Sequence, residues 1–490
     1  MPTTTTTHLD PHTPPPPRPP TPTRWGRQLL LRLHFYIGVL VGPFLLVAAL
    51  SGALYALSPQ LERVIYAEAL TGTVTERPLS LDAQITAAQT ATGLDASPAA
   101  VRPAEPGSTT RVMFTDPALG PSEHRGVFVD PGTGEVVGDL TVYGTSGSLP
   151  LRTTIGELHR SLLLGEPGRL YSELAASWLG VIALTGLGLW VARWRTARPG
   201  RRARGLLFPD TATTNKYRRA RSWHAATGVW LGLGFLFLSA TGLTWSTYAG
   251  ANVTELRSTL GWTTPVLEKT LDPAQTPAGA PDEHAEHADH QDHSAKLEAA
   301  DPDIGSFDAV LATARDAGID ATQTEITPAA EAGTAWTVAE IDRSWPTQLD
   351  TVAVDPDTGQ VSDQVRFTEY GIMAKLAQWG VAAHMGVLFG VVNQIVLVTI
   401  ALGLAAMVIW GYLMWWRRRP TRATGLTLGA APARGALTRA PWPAVAGIAV
   451  VAVGLGVFFP LLGISLAAFL VLDLILGAVA TRRNNPGTSP

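Results

Sequence analysis

The sequence predicts a polytopic α-helical membrane protein with six transmembrane helices and two extracytoplasmic α+β units. Four of the helices form a core produced by an internal duplication, and the last two form a C-terminal hairpin. Three observations predict this class: long apolar runs, basic residues at their borders, and a repeat that relates the two halves of the chain. Of the 490 residues, 46% are hydrophobic and 16% are charged, which is apolar for a soluble protein of this length.

The apolar residues are clustered in runs that are long enough to cross a bilayer, for which about 20 residues suffice. Uncharged runs occur at 33–61, 174–192, 222–254, 376–416 and 440–472. The fifth run continues past Asp473 to Ala480, and the turn at 459–463 splits it into a hairpin. The sequence therefore predicts six spans in the lipid bilayer.

The basic residues predict the orientation of these spans. They concentrate before the first span, between the second and third, after the fourth and after the sixth, at 24–32, 193–221, 417–422 and 482–483. By the positive-inside rule, these segments face the cytoplasm. Both termini are then cytoplasmic, and the long acid-rich connections at 62–173 and 255–375 lie outside the plasma membrane.

This topology divides the chain into eleven segments. They are a disordered cytoplasmic tail (1–24), transmembrane helix 1 (25–61), the first extracytoplasmic domain (62–157), an interfacial helix with transmembrane helix 2 (158–195), a basic loop (196–221), transmembrane helix 3 (222–252), the second extracytoplasmic domain (253–372), an interfacial helix with transmembrane helix 4 (373–417), a cytoplasmic loop (418–441), the transmembrane hairpin (442–481) and a cytoplasmic tail (482–490).

An internal repeat relates the two halves. At an offset of 190 residues, span one matches span three at His34/His224, Gly38/Gly228, Gly42/Gly232, Ser51/Thr241, Gly52/Gly242 and Tyr55/Trp245. At an offset of 225 residues, 129–136 matches 354–361, and His159 matches His384. The repeat indicates that the two halves share one mechanism.

Each outer unit has the sequence features of a small α+β fold. A strand at 127–129 or 351–354 enters a D-P-x-T-G turn and leaves as a second strand at 136–137 or 360–361. Proline presets φ in such a turn and glycine supplies a positive φ, so the pattern predicts a β-hairpin. Alanine-rich helices are predicted upstream, at 81–92 and 307–317.

Four of the eleven histidines, His34, His159, His224 and His384, follow the repeat. Ionisable groups near the hydrocarbon are costly and tend to be functional, and the glycines after His34 and His224 clear a helix face for a large flat group. Imidazole is an axial ligand of haem iron, and facing helices of a bundle can each supply one. The hypothesis is therefore two bis-histidine haems b.

Topology predicts how the histidines pair. His34 and His224 open outward-running spans and lie toward the cytoplasm, whereas His159 and His384 precede inward-running spans and lie toward the outer face. A hydrocarbon core of about 30 Å separates these levels, so the expected pairs are His34 with His224 and His159 with His384. Because 384–416 is too long for one span, the outer histidines are expected on short interfacial helices.

Two other interpretations of these four residues stay open. Duplication copies silent residues, so they could be polar anchors at the membrane interface. They could also bind copper together with a methionine, since Met385 adjoins His384, although the first copy has Arg160 at that position.

A second group of histidines lies in an acidic stretch at 281–293. Its members, three residues apart, are His284, His287, His290 and His293. This spacing could align them on one helix face to bind a divalent ion, but the low-complexity context favours a solvated loop that binds metal weakly. The tract has no counterpart in the first copy.

Several classes of site are excluded or find no support. The chain has no cysteine, which excludes disulfides, thiolate metal sites and iron–sulfur clusters. No glycine-rich nucleotide loop follows a strand, no catalytic constellation stands out, and nothing indicates nucleic-acid binding. An electron donor would therefore be a cytoplasmic partner or quinol.

The combination of motifs resembles the PepSY-associated transmembrane family. The residues that carry the resemblance are W-H-x-x-x-G at 223–228, L-H-R at 158–160, the two V-D-P-x-T-G turns and the duplicated layout, over roughly 25–420. Span one has Leu33 where span three has Trp223. The resemblance implies an iron-regulated inner-membrane protein, with the four repeat-related histidines as haem ligands, PepSY-like outer domains that face the substrate, and reduction of ferric siderophores.

Two alternative functions belong to other classes. The outer domains could bind a protease or envelope partner, a role that needs no buried histidines. A metal permease or sensor could instead use the histidine tract at 284–293.

Overall fold

The structure is a computed structural model and describes residues 24–144, 146–197, 202–271, 306–419 and 431–484. The helices are α1 (Arg24–Leu40), α2 (Gly42–Ile65), α3 (Ala67–Leu70), α4 (Leu81–Thr92), α5 (Pro150–Ser161), α6 (Glu166–Thr196), α7 (Arg202–Leu207), α8 (Lys216–Thr244), α9 (Tyr248–Thr259), α10 (Phe307–Asp316), α11 (Ile372–Met385), α12 (Gly390–Trp416), α13 (Trp442–Phe458) and α14 (Pro460–Asn484). The strands are β1 (Ala100–Arg102), β2 (Thr110–Phe114), β3 (Glu123–Val129), β4 (Val136–Tyr143), β5 (Thr324–Thr327), β6 (Trp336–Glu340), β7 (Thr351–Asp355) and β8 (Gln360–Val365).

Four helices in the described part of the chain are long and apolar enough to cross a membrane. They are α2, α6, α8 and α12, with 24, 31, 29 and 27 residues. The predicted C-terminal hairpin is present as α13 and α14, but its apolar stretches, Trp442–Phe458 and Pro460–Leu476, are shorter. The six predicted spans thus correspond to four helices that are long and apolar enough to cross a membrane and to a helical hairpin, in which α13 has 17 residues and α14 has 25.

The first predicted span is built from two consecutive helices, α1 and α2, which meet at Val41. Helical hydrogen bonds continue through this residue, from Val41 N to Ile37 O at 2.8 Å and from Leu45 N to Val41 O at 3.0 Å. Pro43 follows at the start of α2, where the N–H that proline lacks is not needed. The path from 24 to 65 is therefore helical but interrupted once, whereas the sequence predicted a single helix.

The helices pack around one apolar core. Side chains from six helices meet in it. They include Ile37 of α1, Leu45 of α2, Trp178 of α6, Phe235 of α8, Leu404 of α12 and Leu462 of α14. The helices α6 and α8 pack together, as do α2 and α12, α8 and α12, and α1 and α6. Each copy thus packs against the other within the bundle.

The two outer units, predicted as separate domains, form a single antiparallel sheet of eight strands. Its order is β4-β3-β2-β1-β5-β6-β7-β8. The first strands of the two copies, β1 and β5, pair at the centre, where Val101 lies opposite Ile326. This pairing satisfies the backbone groups of two strands that would otherwise be exposed edges, which is the physical reason why the units join.

The helices α4 and α10 cover one face of this sheet and share a core with both copies. Its fully buried members include Phe114, Ile326 and Trp336. The helices also cap each other: Asp308 accepts hydrogen bonds from Leu81 N (2.9 Å) and Asp82 N (3.1 Å). In return, Asp82 accepts one from Phe307 N (3.0 Å). The N-termini of the two helices are thus satisfied by each other.

Both predicted hairpins are confirmed. β3 pairs with β4, and β7 pairs with β8. In the turns, Asp130 Oδ1 accepts from Gly132 N at 2.8 Å and Asp355 Oδ1 accepts from Asp357 N at 2.9 Å. The glycines at 134 and 359 have φ of 76° and 64°, the left-handed region that glycine adopts without strain.

The C-terminal hairpin is attached to the bundle by polar contacts as well as by packing. The indole N–H of Trp178 donates to Ser465 Oγ at 2.9 Å, and Asn252 Nδ2 donates to Phe458 O at 2.9 Å. Arg32 of α1 forms an ion pair with Asp473 of α14. The hairpin is therefore part of the folded bundle.

The reciprocal caps of α4 and α10 lead to a stability prediction. Asp308→Ala removes the acceptor for two N–H groups at the start of α4, and we expect the free energy of unfolding to fall by about 1–2 kcal/mol. Unfolding of the purified protein, followed by circular dichroism, measures this. The control is Asp95→Ala at an exposed position, expected within about 0.5 kcal/mol of the parent. Equal effects of the two variants would contradict the capping role.

Candidate functional site

The inner histidines, His34 of α1 and His224 of α8, face each other inside the bundle. Their ring centroids are 6.0 Å apart and their planes are at 89°. His34 Nδ1 lies 3.2 Å from Ile182 O of α6, and His224 Nδ1 lies 3.1 Å from Met407 O of α12. The two carbonyls are themselves related by the 225-residue repeat, so the same contact is made twice.

The outer histidines are held in a second repeated contact, to hydroxyl groups. His159, in the last turn of α5, places Nδ1 at 3.0 Å from Ser51 Oγ of α2. His384, in the last turn of α11, places Nδ1 at 2.6 Å from Thr241 Oγ1 of α8. Both histidines lie on short helices that end before α6 and α12 begin, as the sequence predicts.

These contacts fix the tautomer of all four imidazoles. A carbonyl oxygen only accepts, so Nδ1 of His34 carries the proton, and the same holds for His224. Ser51 Oγ already donates to Val47 O at 2.7 Å, and Thr241 Oγ1 donates to Phe237 O at 2.8 Å. With each hydroxyl hydrogen directed to a helix carbonyl, the hydroxyl oxygen is available to accept from Nδ1–H of His159 or His384. In this tautomer, Nε2 carries the lone pair.

Each Nε2 lone pair remains free of hydrogen bonds from the described residues, whose hydrogen bonds to these four rings all involve Nδ1. The four rings lie between packed helices, yet each is only half-buried by accessible surface. A Cβ added at Gly186 would lie 3.1 Å from His34 Cε1, and one at Gly52 would lie 3.1 Å from His159 Cε1. Glycine at both positions leaves room for the imidazoles.

The outer pair lies in an environment that keeps imidazole neutral. Burial lowers the pKa of His159, and burial together with the nearby His159 lowers the pKa of His384 to about 3. The indole of Trp245 packs edge-on against His384, with ring centroids 5.0 Å apart. Neutral imidazole is the form that binds a metal.

The two pairs lie at different depths. His34 on α1 belongs to the inner pair, and Ser51 on α2 contacts a histidine of the outer pair. The two residues are about 17 positions apart, which is about 25 Å at the helical rise. His224 and Thr241 on α8 have the same spacing. The expected pairing of His34 with His224 therefore agrees with the structure, since a histidine of one level cannot share a metal with one of the other.

The geometry fits a metal that needs only two protein ligands. Two imidazoles that bind one metal through Nε2 from opposite sides, with bonds of about 2 Å, place their centroids about 6 Å apart, as found for His34 and His224. In the described residues, no group of three or more His, Asp or Glu side chains could hold a bare ion. Haem iron takes four nitrogens from its own macrocycle and two axial ligands from the protein. The spacing of His34 and His224 is compatible with a haem iron held between them.

The structure also reveals contributors that the sequence did not assign a role. Ser51, Thr241 and Trp245 were found as repeat matches, and their recurrence was the signal that could have pointed to the site. The carbonyls of Ile182 and Met407 had no such signal, because a backbone acceptor carries no side-chain identity.

The tract His284, His287, His290 and His293 lies outside the described residues.

Comparison with known proteins supports the family resemblance. A family profile described as "PepSY-associated TM region" matches residues 31–418. The match includes both halves of the repeat and all four bundle histidines. No curated protein matches the chain. With its four spanning-length helices, the chain is a multi-pass membrane protein.

The hydroxyl contact of His384 can be tested by a near-isosteric change. Thr241→Val leaves the buried Nδ1–H without an acceptor, and we expect a loss of about 1–3 kcal/mol in the free energy of unfolding. Thr399→Val is a matched control, because Thr399 Oγ1 also donates to the carbonyl four residues earlier, at 2.7 Å, but is exposed. Thermal unfolding in detergent measures both. Indistinguishable melting of the two variants would argue against the contact.

Proposed function

Because the chain belongs to the PepSY-associated TM family, we propose that it is a di-haem electron-transfer protein that reduces an extracytoplasmic ferric siderophore. The observation that carries this proposal is the set of four repeat-related imidazoles that are each held through Nδ1 by an oxygen of a neighbouring helix, at two depths of the bundle. Haem b supplies a reversible one-electron couple. His34 and His224 would hold one group, and His159 and His384 the other.

The polar contacts of the imidazoles support a ligand role over an anchoring role. A histidine that only anchors a helix at the interface can use either ring nitrogen for its hydrogen bond. In all four residues here, Nδ1 makes the hydrogen bond and Nε2 makes none with the described residues. A histidine that binds a metal through Nε2 commonly donates its Nδ1–H to a carbonyl or another acceptor, which fixes the ring and raises ligand basicity. Ile182 O, Met407 O, Ser51 and Thr241 supply these acceptors.

The two depths suggest a path across the membrane. Trp178 of α6 lies one turn before Ile182, which contacts His34, and close to Ala176, whose carbonyl accepts from Ser239 Oγ at 2.7 Å. By position along α6, the buried Trp178 lies at an intermediate depth, and its indole N–H is directed to Ser465 of α14.

The proposed orientation puts the sheet outside and both termini in the cytoplasm. The arginines at 193–195, 218–221 and 417–419 would then face the cytoplasm, at the end of the bundle that holds His34 and His224, and α5 and α11 would lie at the outer surface under the sheet. In this arrangement α13 and α14 complete six spans in the plasma membrane. Electrons would enter at the inner pair from quinol or a cytoplasmic partner and leave at the outer pair.

Haem content tests the ligand assignment. Dithionite-minus-air difference spectra of protein from haem-supplied cells should contain b-type bands, with two haems per chain by pyridine haemochrome. His224→Ala and His384→Ala should each retain one haem, because each removes a ligand of a different pair. The control His124→Gln, on β3, should retain two. Parent protein without b-type bands would end the proposal.

Vectorial electron transfer tests the function. Proteoliposomes with reductant inside and a ferric siderophore with a ferrous-specific chelator outside should form the ferrous complex. We expect His224→Ala and His384→Ala to lower this rate by about 100-fold, since each interrupts one level, whereas His124→Gln should leave it unchanged. This fold-change follows from the loss of activity seen when a contact that supports a metal ligand is removed. Removing the ligand itself is expected to cost at least as much activity. If His224→Ala or His384→Ala kept the full rate of iron reduction after losing one haem, another mechanism would be favoured.

A further inference from the structure

The loop between β6 and β7 carries an exposed tryptophan, Trp345, with 57% of its surface accessible. The loop is folded on itself, because Ser344 N donates to Asp342 Oδ1 and Gln348 N donates to Asp342 O, both at 2.9 Å. It is also attached to the bundle: Trp345 N donates at 2.7 Å to Leu388 O, in the connection between α11 and α12. Trp345 is thus held in an exposed position by a fixed backbone.

The ring of Trp345 belongs to a group of three aromatic side chains. Its centroid lies 5.5 Å from that of Trp379 on α11 and 6.2 Å from that of Phe389, which directly precedes α12. The indole N–H of Trp379 donates to Thr347 Oγ1 at 3.1 Å. We refer to Trp345, Trp379 and Phe389 as the aromatic cluster, which joins the sheet to both α11 and α12.

The first turns of α12 have their apolar side chains outside and their polar side chains inside. Val391, Val392 and Ile395 are 60–67% exposed, whereas Asn393 and Gln394 are each only 8% exposed. A helix end in water has the opposite arrangement, with the polar face outward. The outward face of α12 is therefore suited to lipid from its first turn onward.

The length of α12 indicates the depth at which the aromatic cluster lies. Its 27 residues extend about 40 Å at the helical rise, whereas the hydrocarbon is about 30 Å thick and the bilayer with its headgroup regions about 40–45 Å. The helix ends at Trp416, and the arginines at 417–419 follow, which marks the far membrane border. The start of α12, with Phe389 and Trp345 beside it, then lies among the headgroups of the leaflet on the side of the sheet.

The helix α11 extends the same apolar surface. Ile372 and Leu376 are 63% and 50% exposed, and their spacing from Trp379 places all three residues on one face of the helix. Contiguous exposed apolar patches mark contacts with proteins or membranes. This patch continues into the outward face of α12 at Val391, and this continuity favours the membrane.

The first copy lacks the exposed tryptophan. At the offset of 225 residues, Gly120 stands where the second copy has Trp345, and the β2–β3 loop (115–122) contains no aromatic residue. Leu164 likewise stands in place of Phe389. An aromatic contact with lipid would therefore tether the outer sheet on the side of the second copy.

We propose that the aromatic cluster is a membrane contact, in which the β6–β7 loop inserts Trp345 into the headgroup region of the leaflet on the side of the sheet. Tryptophan is enriched at this depth because its ring is apolar and its N–H is polar. Since Trp379 lies on α11, the contact also holds the helix that bears His384 at the membrane surface. The contact depends on α12 spanning the membrane and is independent of haem.

The test measures the depth of single spin labels in the full-length protein, in vesicles of phosphatidylethanolamine and phosphatidylglycerol. The chain has no cysteine, so each introduced cysteine carries the only nitroxide. Trp345→Cys labels the proposed contact, and Ser344→Cys labels the same loop with all three rings in place. Asp357→Cys is the matched control in water, exposed in the turn at the opposite end of β7. Leu402→Cys, on the outward face of α12, is the reference in hydrocarbon.

Power-saturation electron paramagnetic resonance measures collisions of each label with oxygen, which concentrates in lipid, and with a water-soluble nickel complex. We expect the oxygen-to-nickel ratio at Trp345→Cys to exceed that at Asp357→Cys several-fold and to stay below that at Leu402→Cys, as at headgroup depth. Ser344→Cys should also exceed the control. Melting temperatures identify folded variants, and Ser344→Cys decides the matter if Trp345→Cys is destabilised.

Two results would overturn the membrane contact. A ratio equal to that of Asp357→Cys, with free access of the nickel complex, would place the loop in water. Labels shielded from both oxygen and nickel would show that a second copy or another protein covers the patch. A lipid-exposed loop in a protein without haem would leave this contact intact and refute the proposed function alone.

Discussion

The structure depends on one repeated constraint, the donation of Nδ1–H by a histidine inside the bundle to a fixed oxygen on a neighbouring helix. His34 and His224 use carbonyls of the helices behind them, and His159 and His384 use hydroxyls of Ser51 and Thr241. An imidazole in an apolar interior cannot leave its N–H unpaired without a cost of about 1–3 kcal/mol. The bond sets which nitrogen is free, and the packing sets where that nitrogen points.

The two copies complete each other at two separate places. In the bundle, His34 of the first copy faces His224 of the second. Outside the bundle, β1 and β5 pair and the helices α4 and α10 exchange N-caps through Asp82 and Asp308. The two copies are thereby joined outside the bundle as well as within it.

The layer between the sheet and the helix bundle contains charged side chains, unlike the apolar cores on either side of it. The face of the sheet toward α4 and α10 is apolar, whereas the face toward the bundle presents Arg102, Arg111 and Glu325 to Glu62 and Arg152. Charges are costly to bury unless they are paired, and here Arg102 pairs with Glu325 and Arg152 pairs with Glu62.

The sequence alone determined the features that depend on local pattern and on repetition. Hydropathy located the long helices, the D-P-x-T-G turns located both hairpins, and the 190- and 225-residue offsets selected the four histidines and their grouping by depth. These succeed because periodicity, turn chemistry and charge bias act over short stretches of chain. The interruption of the first span at Val41 was not predicted, because hydropathy locates an apolar run and not a break within it. Pro43, two residues later, is the local signal that marks it.

Only the tertiary structure decided which groups meet across the repeat. It joined the two outer units into one sheet, paired His34 with His224 at 6.0 Å, supplied Ile182 O and Met407 O as acceptors, and set Arg102 opposite Arg111. None of these contacts is encoded in a local pattern, because each joins segments far apart in the chain. Their partners are fixed by strand pairing and helix packing, which depend on burying apolar area and satisfying backbone groups over the whole fold.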